Sequence, residues 1–470
     1  MASAGTGAAG GGTPPDPSAS GGAFAVPGAV GGAGSPTSSG GAGRGGMPGA
    51  GEFGNGGAGA LGGAGALGGA GALGGGSQGG AVPAGGLASG AGASSVGNPS
   101  DEVYDGDHLP RFDLELSSAA LTALDADPDT YVSGDFSYQG QTVRSVGIKL
   151  KGEGSFRTLA EKAAFKLKFD EFIDDQAFRG LRRLTLNNMV EDPSFLAERL
   201  AFHLFRQAGL PAPRCNSALL YVNGEFYGVY ANVEAEDKTF LRRWFQSDAG
   251  NLYEEGQVDF VPGAEAEFDL ETNTERNDRS DLAGLITVLA AASTETLLDE
   301  LDSVLDTNHF LRFTAAELAV NQWDMYSYTM FWPNNFRLYH DPATAKFVFL
   351  PWGMDMSMKP FRDSRRKHLA VFELTRQGDR PSSAVTSGLI FRRCLESASC
   401  KSRYSDAVRE LVQVYQQADL EALAARYHDQ LAEHIAADPR QEYTADQRER
   451  GYQSLLSTIR ERPATITAEL

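Results

Sequence analysis

Two alternating stretches of this chain place lysines where an anion could be met. In Val146-Gly147-Ile148-Lys149-Leu150-Lys151 the apolar side chains point one way and Lys149 and Lys151 the other. In Phe165-Lys166-Leu167-Lys168-Phe169 the same alternation sets Lys166 and Lys168 against three apolar residues. If the two strands pair, four lysines crowd one face beside the turn Gly152-Glu153-Gly154-Ser155. A turn of that kind lets backbone N–H groups approach phosphate oxygens, and a neighbouring lysine can neutralise them. Further along come Glu198, placed on a helix where it can pair with a strand lysine, then Asp324 in NQWDMY, Asn334-Asn335, and Asp355 just past a strand. Asp and Asn are hard oxygen ligands that suit Mg²⁺ or Mn²⁺. A carboxylate such as Asp324 can orient a hydroxyl and accept its proton. These are the residue types that phosphoryl transfer requires. Each also has a plainer reading. Alternating lysines mark a solvated strand face, Asp324 could be a locally bonded residue at a helix C-terminus, and Asn335 and Asp355 could be turn residues.

The elements that must position these groups are legible in outline. Residues 110–150 read as strands around one helix, with FSYQGQTV as a hairpin turning at its glycine. Residues 192–208 read as a helix, with Asp192 as N-cap, Pro193 in the first turn and Gly209 as its stop. ALLYV-Asn223-Gly224-EFYGVY is the strongest hairpin signal. It runs into a connector at Val233-Glu234 and a helix over Lys238–Phe245. Residues 255–280 read as a polar loop, followed by helices near 281–293 and 308–322. Strands over Asn335–Tyr339 and Lys346–Leu350 come next, and a helical pattern runs from about 385 onward.

Gly-rich turn, strand lysine, helix glutamate, connector, catalytic Asp, metal Asn and metal Asp is the chain order in which protein kinases present their parts. The segments VGIKLKGEGSF, AAFKLKFDEF, GLRRLTLNN, DPSFLAERLAFHLFRQAGLPAPR, LLYVNGEFYGVYANVE, NLYE, NNFRLYHD and FLPWGMD, in this order over residues ~105–360, resemble the CotH (spore coat protein H) kinase family. The resemblance implies an α+β, atypical bilobal protein-kinase-like fold over 105–465, with an N-lobe over about 105–234 and a C-lobe over about 235–465. It implies transfer of the ATP γ-phosphate to Ser/Thr of secreted or surface proteins, with ATP and Mg²⁺ or Mn²⁺ as cofactors. By that kinase chain order Gly152, Gly154, Ser155 and Glu198 join the nucleotide site, and Glu234 lies at the connector. Lys166 is the best match for the strand lysine, with Lys162 and Lys151 as competitors. Asp324 matches the catalytic Asp, and Asn335 and Asp355 match the metal ligands. Two departures stand out. Many relatives read Pro-Trp-Asp where this chain has Gly353, and Asp324 lies eleven residues before Asn335, further than in the H-R-D-x-x-x-x-N loop of ordinary kinases. Two other readings share the fold: a non-catalytic surface or coat scaffold or adhesin, and a transferase acting on a carbohydrate or small molecule.

The remaining sequence bounds the setting. Residues 1–100 hold 38 of the 56 glycines and only Asp16, Arg44 and Glu52 as charges. Such a stretch cannot bury enough apolar surface to offset the entropy of ordering it. Residues 1–104 therefore read as a disordered Gly/Ala-rich tail or linker, within which GALGGA repeats from Gly59 to about Gly76. It could serve as a tether to a membrane or cell surface. The net charge is −20, almost all of it in the folded part. That argues against general nucleic-acid binding and suits basic substrates such as Ser-rich coat or surface proteins. No apolar run is long enough to span a membrane, and no signal peptide is visible at the N-terminus. Cys394 and Cys400 in CLESASC could close a disulfide, which would place the protein outside the cytoplasm; they could equally be free thiols on a helix. Cys215 reads as a core residue.

Overall fold

The computed structural model describes residues 98–329, 332–360, 367–372 and 387–470. The Gly/Ala-rich tail expected over 1–104 lies almost wholly outside the described residues.

Strands dominate the first part. β1 (Arg111–Glu115), β2 (Val132–Tyr138), β3 (Gln141–Lys151), β4 (Ala164–Lys168), β5 (Arg183–Asn187), β6 (Cys215–Val222) and β7 (Glu225–Glu234) close into a barrel in the order β1-β2-β3-β4-β5-β7-β6. A parallel pairing of β1 with β6 completes the ring, with Arg111 opposite Leu219. α1 (Ser118–Ala126) and α2 (Ala197–Gln207) interrupt the strands. Inward-facing Phe112, Phe136, Ile148, Leu150, Phe165, Leu167, Leu184 and Leu186 fill the barrel core, as period-2 alternation requires. The hairpin turns fall where the sequence predicts them. Gln139-Gly140 and Asn223-Gly224 each take positive φ at both central positions, the geometry that matches strand twist. Asn223 does more, for its side chain bonds the backbone N–H of Leu116 at 2.7 Å and its carbonyl at 2.9 Å.

α2 begins later than the sequence suggests. Asp192 is not its N-cap, because Phe195 takes a positive φ of 62° and breaks the helical path. The Asp192 carboxylate instead accepts from the N–H groups of Ser194, Leu196 and Ala197 at 2.8–2.9 Å. This hook sets the entry into α2 from outside the helix.

The second part is mostly helical. It comprises α3 (Lys238–Trp244), β8 (Leu252–Glu254), β9 (Asp269–Leu270), α4 (Ser280–Ala291), α5 (Leu297–Leu301), α6 (Thr307–Ala319), β10 (Phe336–Asp341), β11 (Lys346–Pro351), α7 (Leu389–Glu396), α8 (Ala398–Gln417), α9 (Leu420–Ala437) and α10 (Ala445–Thr467). The four short strands make a sheet in the order β11-β10-β8-β9. Phe310, Phe313, Tyr326, Phe336 and Phe349 pack beneath it. The class is α+β, as expected. Cys394 and Cys400 form a disulfide that joins α7 to α8, and Cys215 is a buried free thiol. Among the described residues no helix is long and apolar enough to cross a membrane.

The turn after α9 ties the two parts together. Asp438 accepts from Lys162 Nζ at 2.5 Å and from the backbone N–H of Val229 at 2.9 Å. A Cβ on Gly228 would come within 2.7 Å of that carboxylate, so this close approach needs glycine.

Candidate active site

β3 and β4 pair antiparallel with Lys149 opposite Lys166 and Gly147 opposite Lys168. β5 continues the face, with Thr185 opposite Lys166. The four lysines predicted to share a face do share one. It is the outer face of the barrel, and it turns toward the second part. Between them lies a cleft of about 720 Å³. Its roof is the Gly152–Ser155 turn with Lys149, Lys151, Lys166 and Asn187; its floor is Asp324, Asn335, Trp352, Gly353 and Asp355. Asn188 pins the turn by donating to the carbonyls of Ser155 and Lys162 at 2.9 and 2.8 Å.

Lys151 is the lysine connected to the helix glutamate. Its Nζ donates to Asn187 Oδ1. Asn187 Nδ2 in turn donates to both oxygens of Glu198 at 2.8 and 2.9 Å. Burial disfavours the charged forms at both ends. The Lys151 ammonium is pulled below its usual range. Burial and then the charge of Asp355 push Glu198 up to about 7. Lys166, the best match by resemblance, lines the cleft but lies toward Glu254 and Arg337, and burial lowers it to about 8.

Two expected site residues lie elsewhere. Lys162 is only 1% exposed and its ammonium is taken by Asp438. It sits on the loop before β4, and its ammonium lies by Asp438 and the rings of Phe195 and Tyr230. Glu234 ends β7, where its carboxylate is shared by Arg214, at 2.7 Å, and Arg243. With both oxygens so engaged it clamps the connector and lines no part of the cleft.

The floor is built by a loop that closes on itself. Asp324 lies past the end of α6 and bridges to Thr329. Asn335 Nδ2 donates to the Asp324 carbonyl at 2.8 Å and to its Oδ2 at 2.9 Å, with Asn334 adding a longer bond of 3.3 Å. The eleven-residue spacing is thus spanned by direct side-chain contact. The buried Glu317 carboxyl supports the loop from below, accepting from Tyr326 and Ser327 N–H groups at 3.1 and 3.2 Å. Burial raises Asp324 to about 6, with Asp355 adding to the rise. A carboxyl poised there is ionised near neutral pH and basic enough to receive a hydroxyl proton. Gly353 holds φ of 54°, and a Cβ at that position would overlap Asn335 Oδ1. Glycine at this position is therefore what lets Asn335 lie against the turn that carries Asp355.

Asp355 and Asn335 offer hard oxygen donors to one space, a pair that fits a divalent cation such as Mg²⁺. Among the described residues no three His, Cys, Asp or Glu side chains form a metal cluster by themselves. Mg²⁺ held through one or two carboxylates, waters and phosphates asks for fewer protein ligands.

Sequence reasoning missed Asn187, Glu254, Glu255, Glu236, Arg337 and Trp352. Burial lifts Glu255 to about 8, and its Oε1 accepts from the Asn335 N–H at 2.9 Å. Arg337 holds Glu254 at 2.9 Å, and that cation is the main cause of Glu254's lowered pKa. Glu236 is 1% exposed and is pushed up to about 8 by burial. It borders a side chamber of about 230 Å³ with Tyr131, Thr185 and Trp352. Alternation along β5 could have pointed Asn187 at the lysine face, since Leu184 and Leu186 face the core.

The protein is of the α+β class, with a barrel roof bearing lysines over a floor of carboxylates and an amide. The chain belongs to the CotH kinase protein family, whose model matches residues 148–466. It is 24% identical over 218 residues to the inner spore coat protein H of Bacillus subtilis, which takes in 44% of this chain and 58% of that protein. It is 36% identical over 78 residues to an inner spore coat protein H-like protein of the same organism, covering 17% of this chain and 24% of that one. It is 22% identical over 250 residues to invasin CotH2 of Rhizopus delemar, covering 49% of this chain and 40% of that one. The matched region thus spans less than two thirds of each of these relatives. Among solved structures, the Helicobacter pylori proinflammatory kinase CtkA aligns with a TM-score of 0.30 and 11% identity, over 72% of this chain and 89% of that one.

Proposed function

We propose that the protein is an ATP-dependent phosphotransferase that moves the γ-phosphate to Ser/Thr hydroxyls of extracytoplasmic proteins. The observation that carries this is the convergence on one cleft of the Gly152–Ser155 turn, the Lys151–Asn187–Glu198 chain and the Asp324, Asn335 and Asp355 floor. In this reading Lys151 and Lys166 meet phosphate oxygens, and the turn's N–H groups close over them. Asp324 receives the proton of the acceptor hydroxyl. Asn335 and Asp355 hold Mg²⁺ or Mn²⁺, which supplies charge neutralisation on the phosphates.

Asp129, Glu153, Glu191, Glu255 and Asp269 also border the cleft. A basic Ser-rich coat or surface protein would complement that rim. The Cys394–Cys400 disulfide and the likeness to coat proteins and an invasin favour a site of action outside the reducing cytoplasm. The likeness to an invasin also keeps a second reading, a surface scaffold without turnover.

Incubation with γ-labelled ATP, Mg²⁺ or Mn²⁺ and basic Ser-rich proteins tests the proposal. Wild type should transfer label and Asp355→Ala should not, with both folded. Folded wild-type protein that binds no nucleotide would leave the scaffold reading.

A further inference from the structure

We propose that Asn187 is a positioning residue for this chemistry, a neutral amide that holds the Lys151 ammonium toward the phosphates while linking it to Glu198. The inference rests on the phosphotransfer reading above and assigns a role to a residue in the same site. Asn187 is 9% exposed and Glu198 is 3% exposed. The amide's orientation is fixed by the lysine, because an ammonium can only donate and must meet the amide oxygen. Oδ1 must therefore face Lys151 and Nδ2 must face Glu198, as observed.

Two consequences follow from an amide in that place. The lysine is joined to its counter-charge through a full side chain, so it ends at the cleft and is not drawn back onto α2. It also spends one N–H on Asn187 and makes no other hydrogen bond among the described residues, which leaves two donors for a ligand. The position admits few substitutes. Leucine would match the size and leave both charges without partners. Aspartate would accept from Lys151 but set a second carboxylate against Glu198.

A reciprocal exchange tests the inference. Asn187→Leu and Asn187→Asp should each lower kcat about 100-fold, the scale of a slightly misplaced catalytic group, with KM for ATP changed by less than about threefold. The double variant Asn187→Asp/Glu198→Gln rebuilds the chain with amide and carboxylate in swapped positions, and should regain at least about tenfold of the lost kcat. A merely structural asparagine would not yield that rescue together with an unmoved KM. If Asn187→Leu fails to fold, Asn187→Asp and the double variant still decide. A folded double variant no faster than Asn187→Asp, beside active wild type, overturns the positioning role alone. Wild-type protein that binds no ATP overturns the phosphotransfer reading and this role with it.

Discussion

Two lysines of the barrel are held in opposite ways. Lys162 meets Asp438 directly at 2.5 Å, in a pocket where both side chains are almost fully covered. Lys151 reaches its carboxylate only through Asn187. The first arrangement compensates a charge deep within the fold, where Lys162 is out of a ligand's reach. The second compensates the charge and keeps donors free at the cleft. A buried cation is therefore not in itself a sign of chemistry; what matters is whether it reaches a space that a ligand can enter.

That contrast can be broken by experiment. Lys151→Met should cut turnover by about 10³-fold, the scale for losing a preorganised electrostatic contact, with little change in melting temperature. Lys162→Met should do the reverse, costing about 3–5 kcal/mol by leaving the Asp438 carboxylate buried without a counter-charge, which denaturant titration would read as an early midpoint. Equal losses of stability in both would erase the distinction. The pH dependence sharpens it. Turnover needs Asp324 ionised, so kcat/KM should rise with pH through about 6. It should fall again as Lys166 loses its proton through about 8. An acid limb unchanged in Asp324→Asn would remove the base assignment. At the floor, Gly353→Ala should cost about 1–2 kcal/mol, since left-handed backbone disfavours a Cβ and the new methyl meets Asn335. Away from both lysines, reducing Cys394–Cys400 should lower stability by about 2 kcal/mol for so short a loop, measured as the melting shift on adding reductant.

How much of this could be read from residues alone follows the range of each interaction. The Asn223-Gly224 hairpin and the lysine face are local patterns, and both stand as expected. The start of α2 was misplaced because Phe195 adopts a left-handed conformation that no local preference favours. Choosing among Lys151, Lys162 and Lys166 depended on strand register and on Asp438, far along the chain. Glu234 was drawn to the site by its position after a hairpin, while its two arginine partners come from separate elements. The long Asp324–Asn335 interval looked like a departure until side chains were seen to close it.

The Lys162–Asp438 pair has a consequence for synthesis. The two residues are 276 positions apart, and all seven barrel strands lie before Lys238. A nascent chain can assemble the barrel early, as domains do on the ribosome, but its lysine waits without a counter-charge until the turn after α9 emerges. Until then the barrel carries a buried site that favours staying open. Emergence of that turn, more than growth of the barrel, is then the event that pairs the buried lysine.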